Sequence, residues 1–196
     1  MSQDAAPAAA LPGEQWTLRT LLEDLEATES FARALAAQLA PGDLLVLTGG
    51  LGAGKTTFTQ SLGESLGVEG PVTSPTFVLA RVHTSLGEGP DLVHVDAYRT
   101  DAEGLESLDL PAALPHSITV VEWGRSRVEG PVAGPEGSWL DIELLRAEQE
   151  PAYDAALSSE CTVQTDFTES EEELLGAPRT AVLRGYGPRW AEPVLL

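Results

Sequence analysis

Apolar residues recur along the chain in two rhythms. Short, nearly unbroken apolar runs fall at Asp43-Leu44-Leu45-Val46-Leu47, at Leu92-Val93-His94-Val95-Asp96 and at Ile118-Thr119-Val120-Val121-Glu122-Trp123. Runs of this length, apolar on both faces, predict strands buried in a parallel sheet. Between them the spacing becomes helical. Phe31, Ala32, Leu35, Ala36 and Leu39 share one face of a helix over 29–39, with Thr28 as its N-cap. Phe58, Leu62 and Leu66 recur every four residues, and Gly67 stops that second helix. Trp16 to Thr20 predicts a first edge strand, and Thr76 to Val82 a further strand. Ala102 to Leu108 predicts a short helix, Trp139 to Leu144 alternates as a strand does, and Thr180 to Arg184 predicts the last one. The Ala- and Pro-rich residues 1–14 predict disorder. The order of elements predicts one α/β domain over 15–196, a mostly parallel sheet with antiparallel edge strands and helices on both faces. There are no internal repeats.

The junction between the strand at Asp43–Leu47 and the helix after it carries the chemistry. It reads Leu47-Thr48-Gly49-Gly50-Leu51-Gly52-Ala53-Gly54-Lys55-Thr56-Thr57. Gly49, then Gly54-Lys55-Thr56, has the spacing of a P-loop. Glycines let successive N–H groups turn into one concavity, and the following helix aims the positive end of its dipole there. In such a loop Lys55 reaches the outer phosphates and the Thr56 hydroxyl holds Mg²⁺. The loop predicts a nucleotide site formed by Gly49, Leu51, Gly52, Ala53, Gly54, Lys55, Thr56 and Thr57. Lys55 is the only lysine among eleven cationic residues. A chain that otherwise uses Arg has a compact ammonium at this one place.

Two acids end apolar runs. If the strands ending near Thr48, Val95 and Val121 are neighbours, Asp96 and Glu122 meet the phosphate loop at the carboxyl edge of the sheet. A triphosphate with Mg²⁺ needs such groups, one for the metal and one to orient or deprotonate the attacking water. This makes Lys55, Asp96 and Glu122 the catalytic candidates, and Thr56, Asp96 and Glu122 the metal candidates. Trp123 can wall the same site. His94 shares a strand face with Asp96 and reads more readily as a core histidine. Arg99, Arg125 and Arg127 are candidates for charge stabilisation. Pro75 constrains a loop holding two hydroxyls, Ser74 and Thr76, in the manner of a switch that senses a γ-phosphate.

Composition narrows the partners. The 196 residues carry a net charge of −20, which repels DNA, RNA and anionic membranes at long range. The single cysteine, Cys161, forms no internal disulfide and suits a reducing, cytoplasmic setting. No basic-then-apolar leader and no membrane span is present. Residues 147–178 hold nine acidic residues and no basic one, which predicts a partly disordered insertion.

Four matches in order resemble one bacterial family, the TsaE-like P-loop ATPases of tRNA threonylcarbamoyladenosine biosynthesis. They are Leu51-Gly52-Ala53-Gly54-Lys55-Thr56-Thr57, Ser74-Pro75-Thr76-Phe77, His94-Val95-Asp96-Ala97-Tyr98-Arg99 and Glu122-Trp123, within about residues 16–145. The resemblance implies a single-domain protein that binds ATP and Mg²⁺ and hydrolyses ATP slowly alone. It implies action with a two-subunit transferase that modifies adenosine next to the anticodon, with tRNA met only indirectly. It places Thr56 and Glu122 at the metal, Asp96 in the Walker B-like position and Ser74 to Thr76 in the switch-like loop. The chain departs from the family at Arg81-Val82-His83, where an acidic or Asn residue followed by Tyr is expected.

Two other classes fit less well. A small-molecule or nucleotide kinase needs an acceptor pocket and commonly a lid with several arginines, whereas the arginines here are scattered. A GTPase commonly selects guanine with an Asn-Lys-x-Asp element, and this chain has no asparagine and no second lysine.

Overall fold

The strand that precedes the phosphate loop lies at the centre of the sheet. The structure is a computed structural model and describes residues 7–146 and 176–196. Among the described residues there are seven strands: β1 (Glu14–Leu22), β2 (Leu44–Thr48), β3 (Ala80–His83), β4 (Asp91–Asp96), β5 (Ser117–Glu122), β6 (Trp139–Arg146) and β7 (Arg179–Tyr186). They form one sheet in the order β1-β7-β6-β2-β5-β4-β3. β2 runs parallel to β5 and β6, and β5 parallel to β4. The strands towards the edges are antiparallel: β3 to β4, β7 to β6, and β1 to β7. The α/β class is as the apolar pattern predicts, but the sheet is mixed rather than mostly parallel: three of its six pairings are parallel, at the centre, and three are antiparallel, towards the edges.

Helices cover both faces. α1 (Leu25–Ala36) and α2 (Lys55–Leu66) pack Phe31, Leu35, Phe58 and Leu62 against Leu45, Leu47, Leu140 and Ile142. The Phe31 and Phe58 rings meet at 5.4 Å. On the other face, α3 (Ala102–Glu106) and α4 (Leu110–Ala113) bring Leu105 and Leu110 against Val93, Val95 and Val121. With both faces covered, every residue of β5 is buried, the polar Ser117, Thr119 and Glu122 included. Each Leu or Phe buried in this way contributes about 1.5–3 kcal/mol.

Local chemistry moves several boundaries. α1 begins at Leu25 rather than Glu29, because Asp24 is extended and accepts the Ala27 N–H at 2.8 Å. Thr28 is buried inside the helix, and its hydroxyl donates to the Asp24 carbonyl at 3.0 Å. Asp24→Ala is expected to cost about 1 kcal/mol, read as a lower urea midpoint with an unchanged slope. The strand expected from Thr76 begins only at Ala80. The Pro75 carbonyl accepts the N–H groups of Val78 and Leu79, and Leu79 turns the chain at φ 71. Thr76 therefore sits on a turn, not in a ladder.

Residues 8–11 of the stretch expected to be disordered are tied to the sheet. The Ala8 N–H donates to Glu143 at 2.9 Å, and the Leu11 N–H to the Tyr186 hydroxyl at 3.0 Å. Buried charge explains the attachment. Arg184 bridges Asp141 at 3.0 Å and Glu143 at 2.9 Å, and Arg125 meets Asp141 at 2.7 Å. The Ala8 amide takes acceptor capacity that these arginines leave on Glu143. Residues 1–6, Cys161 and the acidic insertion expected at 147–178, up to residue 175, lie outside the described residues. Among the described residues no helix is long and apolar enough to cross a membrane.

Candidate functional site

The carboxyl ends of β2, β4 and β5 meet above the start of α2. Parallel register sets Asp96 directly beside Glu122 and Leu47 beside Glu122. The cavity there is about 480 Å³, and its lining includes Leu51, Gly52, Gly54, Lys55, Thr56 and Thr57 from the loop. Ser74, Thr76, Asp96, Glu122 and Trp123 complete the set that sequence spacing singles out. Gly49 and Ala53 do not line the cavity; they shape the loop from below. A β-carbon on Gly49 would collide with the Leu144 carbonyl oxygen, and Gly49 lies at φ 143. Gly54, the residue before α2, lies at φ 96, a left-handed value that favours glycine.

Lys55 folds back into the loop. Its Nζ donates to the carbonyls of Gly49 and Gly50, each at 2.9 Å, and stands 3.8 Å from the centre of the Trp123 ring. Burial pushes its pKa below the usual lysine value, while the nearby Glu122 and Asp96 carboxylates act in the opposite sense. Trp123 is held at φ 62, and its ring packs on Tyr98 at 4.9 Å. A bulky residue in that region is strained, and such strain concentrates where a side chain must be aimed.

The two acids have different surroundings. Glu122 accepts from the Thr56 hydroxyl at 3.0 Å and pairs with His94 Nε2 at 2.8 Å. A carboxylate only accepts, so Nε2 carries the hydrogen. Asp96 accepts from the Thr76 hydroxyl through one oxygen and from the Tyr98 N–H at 2.9 Å through the other. Ser74 and Thr76 share a hydrogen bond at 2.7 Å. The Ser74-Pro75-Thr76 loop is thus linked to Asp96 by a chain of hydroxyls.

Among the described residues no group of three or more His, Cys, Asp or Glu side chains is placed to bind a metal. The donors that do converge are the Thr56 hydroxyl and the Asp96 and Glu122 carboxylates. An all-oxygen set with few carboxylates is the kind Mg²⁺ takes when phosphates and water complete its shell. The donor chemistry therefore fits that ion, and the glycine loop with Lys55 fits an anion.

Sequence spacing missed three participants. His94 is fully buried against Glu122 rather than in apolar core. Strand parity carries the signal: Leu92, His94 and Asp96 share one face of β4, and Leu92 packs on the α2 side. Tyr98 and Gln60 also line the cavity. Of the three candidate arginines only Arg99 lines it. Arg125 is engaged by Asp141, and Arg127 donates to the carbonyls of Ala97, at 2.6 Å, and Thr100.

Comparison with known proteins gives the family of the chain. The family described as threonylcarbamoyl adenosine biosynthesis protein TsaE matches residues 22–152. The tRNA threonylcarbamoyladenosine biosynthesis protein TsaE of Streptomyces coelicolor is 62% identical over 99 residues, which is 50% of this chain and 67% of the relative. The protein of the same description from Mycobacterium tuberculosis is 44% identical over 133 residues, or 64% of this chain and 77% of the relative. The crystal structure of Bacillus subtilis YdiB superposes with a TM-score of 0.58 at 26% identity, covering 89% of each chain.

Proposed function

The chain belongs to the TsaE family of threonylcarbamoyl adenosine biosynthesis proteins, and on that premise we propose that it is a Mg²⁺-dependent ATPase serving this tRNA modification through a two-subunit protein transferase. One observation carries the reading. A lysine caged in a glycine loop and two differently held carboxylates face one cavity. The loop amides and Lys55 hold the β- and γ-phosphates of ATP. Thr56, Asp96 and Glu122 would hold Mg²⁺, which would neutralise phosphate charge when bound. Glu122, fixed by Thr56 and His94, orients the water and accepts its proton. Trp123 covers Lys55 and limits its contact with bulk water. Thr76 leaves Asp96 or stays on it according to the phosphates present, so the Ser74–Thr76 loop reports nucleotide state to a neighbour.

The charge favours a protein neighbour. A chain of net −20 grips bare tRNA poorly, so tRNA is met through the transferase, in the cytoplasm. Affinity capture from the native cell, with and without a non-hydrolysable ATP analogue, tests the partnership. Nucleotide-dependent recovery of both transferase subunits is expected. Their absence under both conditions removes that part of the proposal.

His94 gives a finer test of the site. His94→Ala is expected to leave ATP affinity within about threefold and to slow hydrolysis about tenfold, by freeing Glu122. His94→Gln, which keeps a donor, recovers part of the rate. Equal losses of binding and rate would show that His94 supports the whole pocket instead.

A further inference from the structure

Arg179 opens β7, two strands away from β2, yet its side chain ends at the phosphate loop. Its residue is only 1% exposed, and it is among the largest fully buried side chains of the described residues. Nη1 donates to the Ala53 carbonyl at 3.4 Å, and Nη2 donates to the Ala177 carbonyl at 3.2 Å. The Nη1 end of the guanidinium comes up against Gly54. A β-carbon there would collide with Nη1 and lie 3.2 Å from Cζ and 3.8 Å from Cδ. So Gly54 is glycine for two reasons, its left-handed φ of 96 and this close approach. Gly54 is also the residue immediately before Lys55, where the loop turns into α2.

Arg146 lies directly opposite Arg179 in the β6–β7 ladder, and its Nη1 would stand 3.6 Å from a β-carbon at Gly52. Like charges opposite each other in a sheet are unfavourable. Burial pushes the Arg179 pKa down, and Arg146 pushes it further. A large buried cation is thus held against the two loop residues that precede Lys55.

We propose that Arg179 is a positioning residue of the phosphate loop, fixing Ala53 and Gly54 from outside the cavity so that Lys55 and the first amides of α2 converge on one phosphate. The inference rests on the reading of that loop as the ATP site. It assigns a role to a residue that lines no part of the cavity and falls in none of the four sequence matches.

The test is steady-state ATP hydrolysis and ADP titration on the full chain, for the unaltered protein, Arg179→Met and Arg179→Lys. Arg179→Met keeps the length of the stem and removes the fork. It is expected to raise KM for ATP and Kd for ADP about tenfold with kcat little changed. Arg179→Lys keeps the charge without the forked end and is expected to fall between the two. A purely structural role would lower the folded fraction, and so kcat, with KM unmoved; that pattern overturns the proposal, as does normal KM in Arg179→Met. Should Arg179→Met not fold, Arg179→Lys decides alone: a raised KM supports the role and an unchanged KM overturns it. Failure of the unaltered protein to bind ADP would instead overturn the ATP reading itself, and the role of Arg179 with it.

Discussion

Lys55→Ala is expected to abolish ATP binding in a calorimetric titration, a loss on the order of 100-fold or more in affinity. The lysine is 5% exposed and already bent into the loop, with both glycine carbonyls at 2.9 Å. Little rearrangement separates that pose from one that meets a phosphate. Lys55→Arg is not expected to restore binding, because a planar fork does not fit where a compact ammonium is caged beneath Trp123. The fold should survive the change. A lysine whose pKa is depressed by burial costs stability while it is charged. Below the folded-state value that cost is fully present; it is relieved as pH rises through that value towards the unfolded one, and Ala removes it. Thermal unfolding of Lys55→Ala without nucleotide should therefore occur at or above the midpoint of the unaltered chain. A large fall in midpoint together with lost binding would mean that the residue holds the loop rather than the ligand.

Glu122→Ala is expected to separate binding from chemistry. The carboxylate is 3% exposed and fixed by two donors, the Thr56 hydroxyl and the His94 ring. It faces the cavity beside the phosphate loop, and in the proposed reaction it is the base for the water that attacks the terminal phosphate. Removing a positioned base lowers turnover on the order of 100-fold or more. Binding depends mainly on the loop amides and Lys55, so affinity for ATP should change far less. Asp96→Ala should behave similarly, with a stronger dependence of its residual rate on Mg²⁺ concentration. The decisive condition includes the transferase subunits. If Glu122→Ala turns ATP over at the normal rate there, its assigned role is wrong.

Much of this architecture is legible in the residue pattern, for physical reasons that also explain the misses. β2, β4 and β5 are covered on both faces, so their apolar runs stand out, and their shared direction follows from the crossovers between them. The convergence of Asp96 and Glu122 then follows from parallel register alone. The start of α1 was not legible from apolar spacing, because one side-chain oxygen on Asp24 sets it four residues early. The turn at Thr76–Leu79 depends on the carbonyl of Pro75, a backbone bond that hydrophobic spacing does not encode. His94 looked like core because burial and pairing with a carboxylate require the same residue type in the same strand. Arg179 was beyond reach for another reason. It acts 126 residues away from Ala53 in the chain, through a contact that exists only once β6 and β7 have paired.

The fate of the γ-phosphate tests the central claim most directly. The purified chain is incubated with Mg²⁺ and ATP labelled at that position, together with the transferase subunits, tRNA and a panel of nucleosides and small metabolites. The account predicts that the label appears as inorganic phosphate, in amounts that Glu122→Ala does not match. Label transferred covalently to one nucleoside or metabolite would make the protein a kinase and contradict the account.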